Sequence, residues 1–428
     1  MQSLLSLSIA IFAGLMLSRL AKLVKLPAVT AYLVAGILIG PYVLGAFGVE
    51  GLGFVSMENI KTYGIISDVA LGYIAFSIGN EFRLAQLKEI GKKATVIGIF
   101  QAVTATILVD AALIGIHFII PDKLPLPSAI VLGAVASATA PAATLMVVRQ
   151  YKAKGPLTDL LLPIVALDDA VGLILFAVSF GVAKALISGH VDIISVIVEP
   201  VLEVVLSLLL GAVMGWLFSF FEKFFHSRSK RMAMSVSFVL LTVALSMLKF
   251  NVFGIHIAFS SLLVCMMLGT VFCNVCDFSE ELMDRIDRWS APLLILFFVI
   301  SGAELELSVF TDIIIVLVGL VYILVRSLGK YFGAFLSAKS VKCDNNVVRY
   351  LGITLLPQAG VALGMAIKAE ALGDAGKIVA NITLFSVLIY ELVGPYLTKI
   401  ALMKAGEIRP EGKVSAREEH LKKKQQNL

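Results

Sequence analysis

Two adjacent carboxylates, Asp168 and Asp169, lie inside the apolar run LLPIVALDDAVGLILFAV (Leu161–Val178). One aspartate at the middle of a membrane helix costs about 2.5–3.5 kcal/mol, and a like charge beside it adds to that cost. Packing gives no return for such an expense. Reversible binding of protons or small metal cations does. Neighbours on a helix point about 100° apart, so one carboxylate can hold a fixed counter-ion while the other faces an exchangeable ligand.

A counter-ion is at hand in VYILVRSLGKYFGAFLSA (Val321–Ala338), where Arg326 and Lys330 stand four residues apart on one helix face. Lys330 is flanked by Gly329 and Gly333, small residues that let another helix approach. Buried lysine changes its protonation state readily and arginine does not. Lys330 is therefore favoured as the partner of Asp168. Arg326 is the alternative counter-ion, or a side chain reaching from near a helix end into water.

Two proline interruptions stand where backbone groups could join this site. The first is Thr139, Ala140 and Pro141 in ATAPAATL (Ala138–Leu145), and the second is Pro357 and Gln358 in LLPQAGVALG (Leu355–Gly364). Proline removes a backbone donor and clashes with the preceding turn, and freed backbone groups at membrane depth are tolerated where they line a cavity. Two broken helices crossing near the centre would set half-helix dipoles, Thr139 and backbone oxygens around a small-ion site.

These groups need helices to hold them, and the composition supplies little else. Of 428 residues 59% are hydrophobic and 15% charged, against roughly 45–50% and 25% in soluble domains. The chain reads as an all-α polytopic membrane protein, which excludes secreted, fibrous, disordered and nucleic-acid-binding classes. A bilayer core of ~30 Å needs about 20 apolar residues per helix. Apolar runs fall near 3–20, 28–46, 62–80, 94–119, 128–149, 157–186, 191–221, 232–249, 254–275, 290–303, 310–338, 348–369 and 377–402, thirteen segments in all. The expected division is a membrane domain over 1–403, with core helices at about 62–186 and 290–402 and the rest serving as scaffold or dimer surface. A short basic tail follows over 404–428, with seven Lys or Arg against four Glu.

Loop charges give the orientation. Arg19/Lys22/Lys25, Arg83/Lys88/Lys92/Lys93, Arg149/Lys152/Lys154, Lys223/Arg228/Lys230/Arg231 and Lys339/Lys342/Arg349 fall on alternate loops, with the basic tail on the same side. The intervening loops are poor in Lys and Arg, as in Glu50/Glu58/Lys61, Asp122/Lys123 and Glu370/Asp374/Lys377. The positive-inside bias puts the N-terminus out and the C-terminus in. The first run, Leu4 to Leu17, has no basic stretch ahead of it and is followed by basic residues, so it is expected to span rather than to be cleaved. The stretch Asp277 to Arg288 falls on the basic side yet holds five acids and two arginines, against the bias.

Three patterns recur seven segments apart. SIGNEF (Ser77–Phe82) answers to SGAELEL (Ser301–Leu307), the first interruption to the second, and the Gly-rich runs Ala35–Gly40 and Leu262–Gly269 to each other. An odd offset turns matched segments over in the membrane, which is the inverted repeat of many secondary transporters. Other polar groups are weaker candidates. Asp68, Asp110 and Glu391 are expected at helix ends or in pairs, and Glu81 and Glu304 as caps. His117, His190, His226 and His256 fall near segment ends, with His226 a possible pH sensor in a basic loop. Cys273 and Cys276 have C-x-x-C spacing without a second pair or a His cluster, so the four cysteines read as packing thiols.

Together LPAVTAYLVAGILIGP, FSIGNEF, ATAPAATLMVV, GPLTDLLLPIVALDDAVGLILFA, the Lys330 segment and LPQAGVALG carry a resemblance. From about Leu26 to Lys404 the chain resembles the monovalent cation:proton antiporter superfamily, in the branch that holds bacterial Na+/H+ exchangers and Kef-type potassium efflux proteins. The resemblance implies about 13 transmembrane helices in inverted repeats, with two crossed discontinuous helices. It implies that Asp169 carries the cation and protons, that Asp168 pairs with Lys330, and that Thr139 lies at the ion. It also implies electrogenic exchange, no cofactor, a homodimer and a place in the bacterial inner membrane. Two features depart from the pattern. Thr-Ala-Pro stands where relatives often have Ser or Asp before the proline. After the last segment there is no G-x-G-x-x-G of the kind that opens a Kef-type nucleotide-binding domain. Exchange of Na+, or of Li+ or K+, for protons is the expectation. The alternatives are an electroneutral K+/H+ antiporter of Kef type, a sodium-coupled solute symporter on a related scaffold, and a channel. No Ser/His/Asp or metal-ligand cluster supports an enzyme.

Overall fold

The structure, a computed structural model, describes residues 2–24, 26–49, 53–80, 82–188, 198–252, 255–276, 279–305 and 313–408. Apart from one antiparallel ribbon, Phe250–Val252 with Ile255–Ile257, its regular elements are helices. The first half holds α1 (Gln2–Leu23), α2 (Ala28–Ile39), α3 (Met57–Lys61), α4 (Gly64–Asn80), α5 (Leu84–Ile119), α6 (Leu126–Val135), α7 (Pro141–Tyr151) and α8 (Pro156–Ser188). The second holds α9 (Glu199–Glu222), α10 (Arg228–Ser246), α11 (Ser261–Val275), α12 (Ser279–Glu304), α13 (Ile313–Ser340), α14 (Asn345–Thr354), α15 (Gly360–Ala369) and α16 (Asp374–Lys404). Among the described residues eight helices are long and apolar enough to cross a membrane. The shorter α2, α4 and α11, with the broken pairs α6/α7 and α14/α15, complete the thirteen segments. Large apolar side chains such as Phe12, Phe118, Leu209 and Leu324 are exposed, a surface suited to lipid.

The two broken elements run in opposite directions. Ser128 at the start of α6 donates to the Ala375 carbonyl at the start of α16, 2.8 Å away, so α6 begins at the end of the bundle where α15 finishes. At the other end, the backbone N–H of Lys154, just past α7, lies 3.3 Å from the Glu407 carbonyl, and Asn346 at the start of α14 reaches the Ala405 carbonyl at 3.2 Å.

Packing sorts the helices into two groups. The core joins α5, α6, α8, α13, α14 and α16. The scaffold joins α1, α2 and α12 on one side with α4, α9, α10 and α11 on the other. The segments at 62–80 and 290–303, which the sequence reading places in the core, pack here as α4 and α12 with scaffold helices, and four glycines explain why. A Cβ on Gly36 would sit 2.0 Å from the Val299 carbonyl oxygen, and one on Gly302 would sit 2.2 Å from that of Leu33. The same approach recurs between α4 and α11, where a Cβ on Gly79 would sit 1.9 Å from the Met266 carbonyl oxygen and one on Gly269 would sit 2.2 Å from that of Phe76. Each pair sets backbone directly on backbone. The glycines lie in the recurring sequence patterns, so the repeat is visible as a repeated contact.

The acids of the 277–288 stretch also find a reason. From Ser279 the chain is helical, and Asp287 holds Arg149 of α7 at 2.6 Å while Glu281 holds Arg228 of α10 at 3.3 Å. They neutralise the basic residues of neighbouring turns, and acids carry little weight in setting orientation. Asp277 itself lies outside the described residues, as do Glu81, His190 and most of the basic tail.

One further contact fixes the start of α8, the helix that carries both aspartates. The Glu407 carboxylate accepts from the backbone N–H of Leu157 at 2.6 Å and from both the N–H and the hydroxyl of Thr158, at 2.8 and 2.6 Å. It satisfies donors that a helix start leaves free and places a negative charge at the positive end of the dipole. Charge-assisted bonds of this kind contribute about 1.5–3 kcal/mol. Glu407→Ala is expected to lower the melting temperature of the purified protein by several degrees, and Glu407→Gln by less. Unchanged melting of the alanine variant in a fluorescence-detected thermal assay would contradict this role.

Candidate functional site

The site is built where α5 and α13 touch. Gly329 and Gly333 lie so close to α5 that a Cβ on either would stand 2.7 Å from the Cα of Ala105 or of Gln101. Between them Lys330 enters the core with no exposed surface. Tyr322, Arg326 and Lys330 recur every fourth residue, so all three project from one face of α13, toward the broken helices.

The first break spans Ala136 to Ala140 and the second Leu355 to Ala359, and they join through the Ala140 N–H and the Pro357 carbonyl at 2.8 Å. Pro141 is the first residue of α7, where a missing N–H is not needed, so it starts a half-helix rather than bending one. The C-terminal end of α6 leaves carbonyls without helical partners, and fixed cations take them. Arg326 donates to Ala136 O at 3.0 Å, Ala138 O at 2.6 Å and Leu356 O at 2.8 Å. Lys330 donates to Ser137 O, and the Gln358 amide to Val135 O at 2.9 Å. Cations are favoured at this negative end of the α6 dipole. Arg326 is fully buried, its guanidinium 4.4 Å from the Tyr390 ring centre, and it does not reach water. The backbone oxygens expected to surround a transported ion are occupied instead by the chain's own positive groups.

Asp168 and Asp169 face different surroundings. Asp168 is fully buried. Its Oδ2 accepts from Lys330 Nζ at 2.9 Å and from the Thr139 hydroxyl at 2.5 Å, and its Oδ1 accepts from the Gln101 amide. Thr139 also accepts from Lys330 at 2.9 Å, so its hydroxyl belongs to this pair. Asp169 has 3% of its surface exposed and its Oδ1 has no hydrogen-bond partner among the described residues. It borders a cavity of about 150 Å³ together with Leu173, Val361, Gly364, Met365, Lys368 and Ser260.

Sequence reasoning missed three members of this network. Gln101 is a lone amide within an apolar run, which was its available signal. Tyr322 was visible as the residue one turn before Arg326. Ser386 donates to Gln358 Oε1 at 3.2 Å while Gln358 donates to the Tyr322 hydroxyl at 3.0 Å, a link that no local pattern announces. The weaker candidates lie elsewhere. Asp110 presses on Gly133 of α6, and His117 bonds the Leu124 carbonyl at 2.8 Å beside the end of α5. Glu304 is the last residue of α12, and Glu391 is buried in α16.

Comparison with known proteins agrees with this architecture. The sodium proton antiporter MjNhaP1 from Methanocaldococcus jannaschii, solved at pH 8, has a similar structure, with a TM-score of 0.68 at 17% identity over 95% of this chain and 99% of that one. A structure of the same antiporter from an electron-microscopy map gives 0.68 at 16% identity, covering 94% of each chain. At these identities the likeness is one of fold. No curated protein matches the chain in sequence. The family model described as sodium/hydrogen exchanger, transmembrane, matches residues 7–404. That span holds α2 to α16, most of α1 and every residue of the buried network, and the chain belongs to the transmembrane sodium/hydrogen exchanger family.

Proposed function

We propose that this exchanger binds Na+, or Li+ in its place, at Asp169 in competition with protons, and carries both by alternating access. The unpartnered Oδ1 of Asp169 beside the cavity is the observation that supports this most. A cation or a proton completes it, and the two cannot share it. Asp168, engaged by Lys330, Thr139 and Gln101, holds the α8 centre against both breaks. The cavity of about 150 Å³ lies below the ~300 Å³ of ordinary small-molecule pockets. That favours an ion stripped of its water shell over an organic solute. With the carbonyls occupied, a carboxylate of high field strength does the selecting, which favours small cations over K+.

In the cycle the core rocks against the scaffold and presents Asp169 to each side in turn. The basic residues Arg149, Lys152, Lys154 and Arg228 gather at the Glu407 end, which we place in the cytoplasm of a bacterial cell. Two protons per Na+ would move one net charge per cycle, worth ~2.3 kcal/mol per 100 mV. The full engagement of Asp168 favours a second reading, in which Asp169 alone cycles and exchange is electroneutral.

Purified protein in acid-loaded lipid vesicles with a trapped pH dye tests the proposal. Pulses of Na+ and Li+ are expected to alkalinise the lumen, and K+ to do so weakly. An imposed membrane potential changes the Na+ rate if two protons move and leaves it unchanged if one does. A lumen that stays acid with all three cations rules out exchange at this site.

A further inference from the structure

The second halves of the two broken helices align without a gap. TAPAATLMVVR (Thr139–Arg149) matches QAGVALGMAIK (Gln358–Lys368), which sets Arg149 of α7 opposite Lys368 of α15 in the repeat. Both are the ninth residue of their half-helix, so they point to opposite ends of the bundle. Each forms an ion pair from a half-helix of a broken element to a helix of the scaffold. Arg149 holds Asp287 of α12 at 2.6 Å, with side-chain exposures of 24% and 32%. Lys368 stands 3.6 Å from Glu203 of α9, with exposures of 56% and 17%. The scaffold wall behind Glu203 is braced, since Ser207 of α9 accepts from the Ser260 N–H ahead of α11 at 2.9 Å.

The cavity from Asp169 runs to Lys368, the end with the long, exposed pair. The short pair lies at the other end of the bundle, away from that cavity. We propose that Arg149–Asp287 and Lys368–Glu203 are reciprocal latches of the transport cycle. Each tightens when its own end closes over Asp169 and loosens when that end opens. Pairs near water are weak, about 0.2–1 kcal/mol, so thermal motion can break one in every cycle, and a matched couple leaves neither end permanently shut. The inference rests on exchange at Asp169.

Charge-neutral double variants test it, because they remove a pair without leaving a lone charge near the cation path. Uniformly oriented vesicles with the pH dye give KM for Na+ at each face. Losing the latch at one end shifts the population toward opening there. Arg149→Gln/Asp287→Asn is expected to lower KM at the Arg149 face about two- to fivefold and to raise it at the Lys368 face. Lys368→Gln/Glu203→Gln is expected to do the reverse by a smaller factor, and all four changes together to restore values near those of the unaltered protein. KM shifts of the same sign at both faces, or none, overturn the latches. A lack of Na+-driven proton movement in the unaltered protein would overturn the exchange reading instead, so the two failures are distinguishable.

Discussion

Asp169→Asn is expected to abolish Na+-driven proton movement in vesicles, with at least a hundredfold fall in rate, while the protein stays folded. The asymmetry of the aspartate pair is the reason. Asp169 Oδ1 accepts no hydrogen bond from the described residues and borders the cavity, so an amide there deprives no neighbouring donor of its acceptor. A neutral amide is also easier to bury than a carboxylate, and the melting temperature should hold or rise. What disappears is the group that exchanges a proton for a cation. Asp168→Asn is a different change. It strips the charge from a carboxylate that holds Lys330 at 2.9 Å, and it should lower stability as well as rate. Retained exchange in Asp169→Asn, measured on protein that elutes as a single species, would move the ion site elsewhere.

The second large effect falls on stability. Arg326→Leu removes the group that satisfies Ala136 O, Ala138 O and Leu356 O. Each buried carbonyl left without a donor costs about 1–3 kcal/mol, so the three together approach the whole stability of a typical domain, about 5–15 kcal/mol. Little folded protein should be recovered. Lys330→Met removes one partner of a buried ion pair, a loss of about 3–5 kcal/mol. A companion change, Asp168→Asn, should return much of it, because the stranded charge is then gone. Thermal melting of the two single variants and the double separates the cases. If Arg326→Leu were recovered folded with an unchanged melting temperature, the carbonyl role of Arg326 would be wrong.

The aspartates, Lys330 and the two breaks could be read in the sequence because each violates the apolar pattern around it, and a membrane helix tolerates few such violations. The task of Arg326 could not be read. Its side chain answers carbonyls on two other elements, about 190 residues before it in sequence and 30 after. Gln101 was hidden for a similar reason, since one amide in an apolar run has no partner until α8 is placed beside α5. The core boundary failed on geometry. α4 and α12 are apolar like the core helices, and only the backbone approach at Gly36, Gly79, Gly269 and Gly302 reveals which neighbours they can have. The acids after Asp277 looked wrong for their side until their arginine partners on α7 and α10 were known.

The Asp168–Lys330 pair spans 162 residues of sequence, and a growing chain makes its two halves at different times. At about 5–20 residues per second, the aspartate helix leaves the ribosome roughly ten to thirty seconds before its lysine. Through that interval the newborn helix holds two acids in the bilayer with their permanent cation not yet synthesised. Gln101 and Thr139, made before the aspartates, are then the members of the network within reach of Asp168. The site acquires its fixed charge only when α13 arrives.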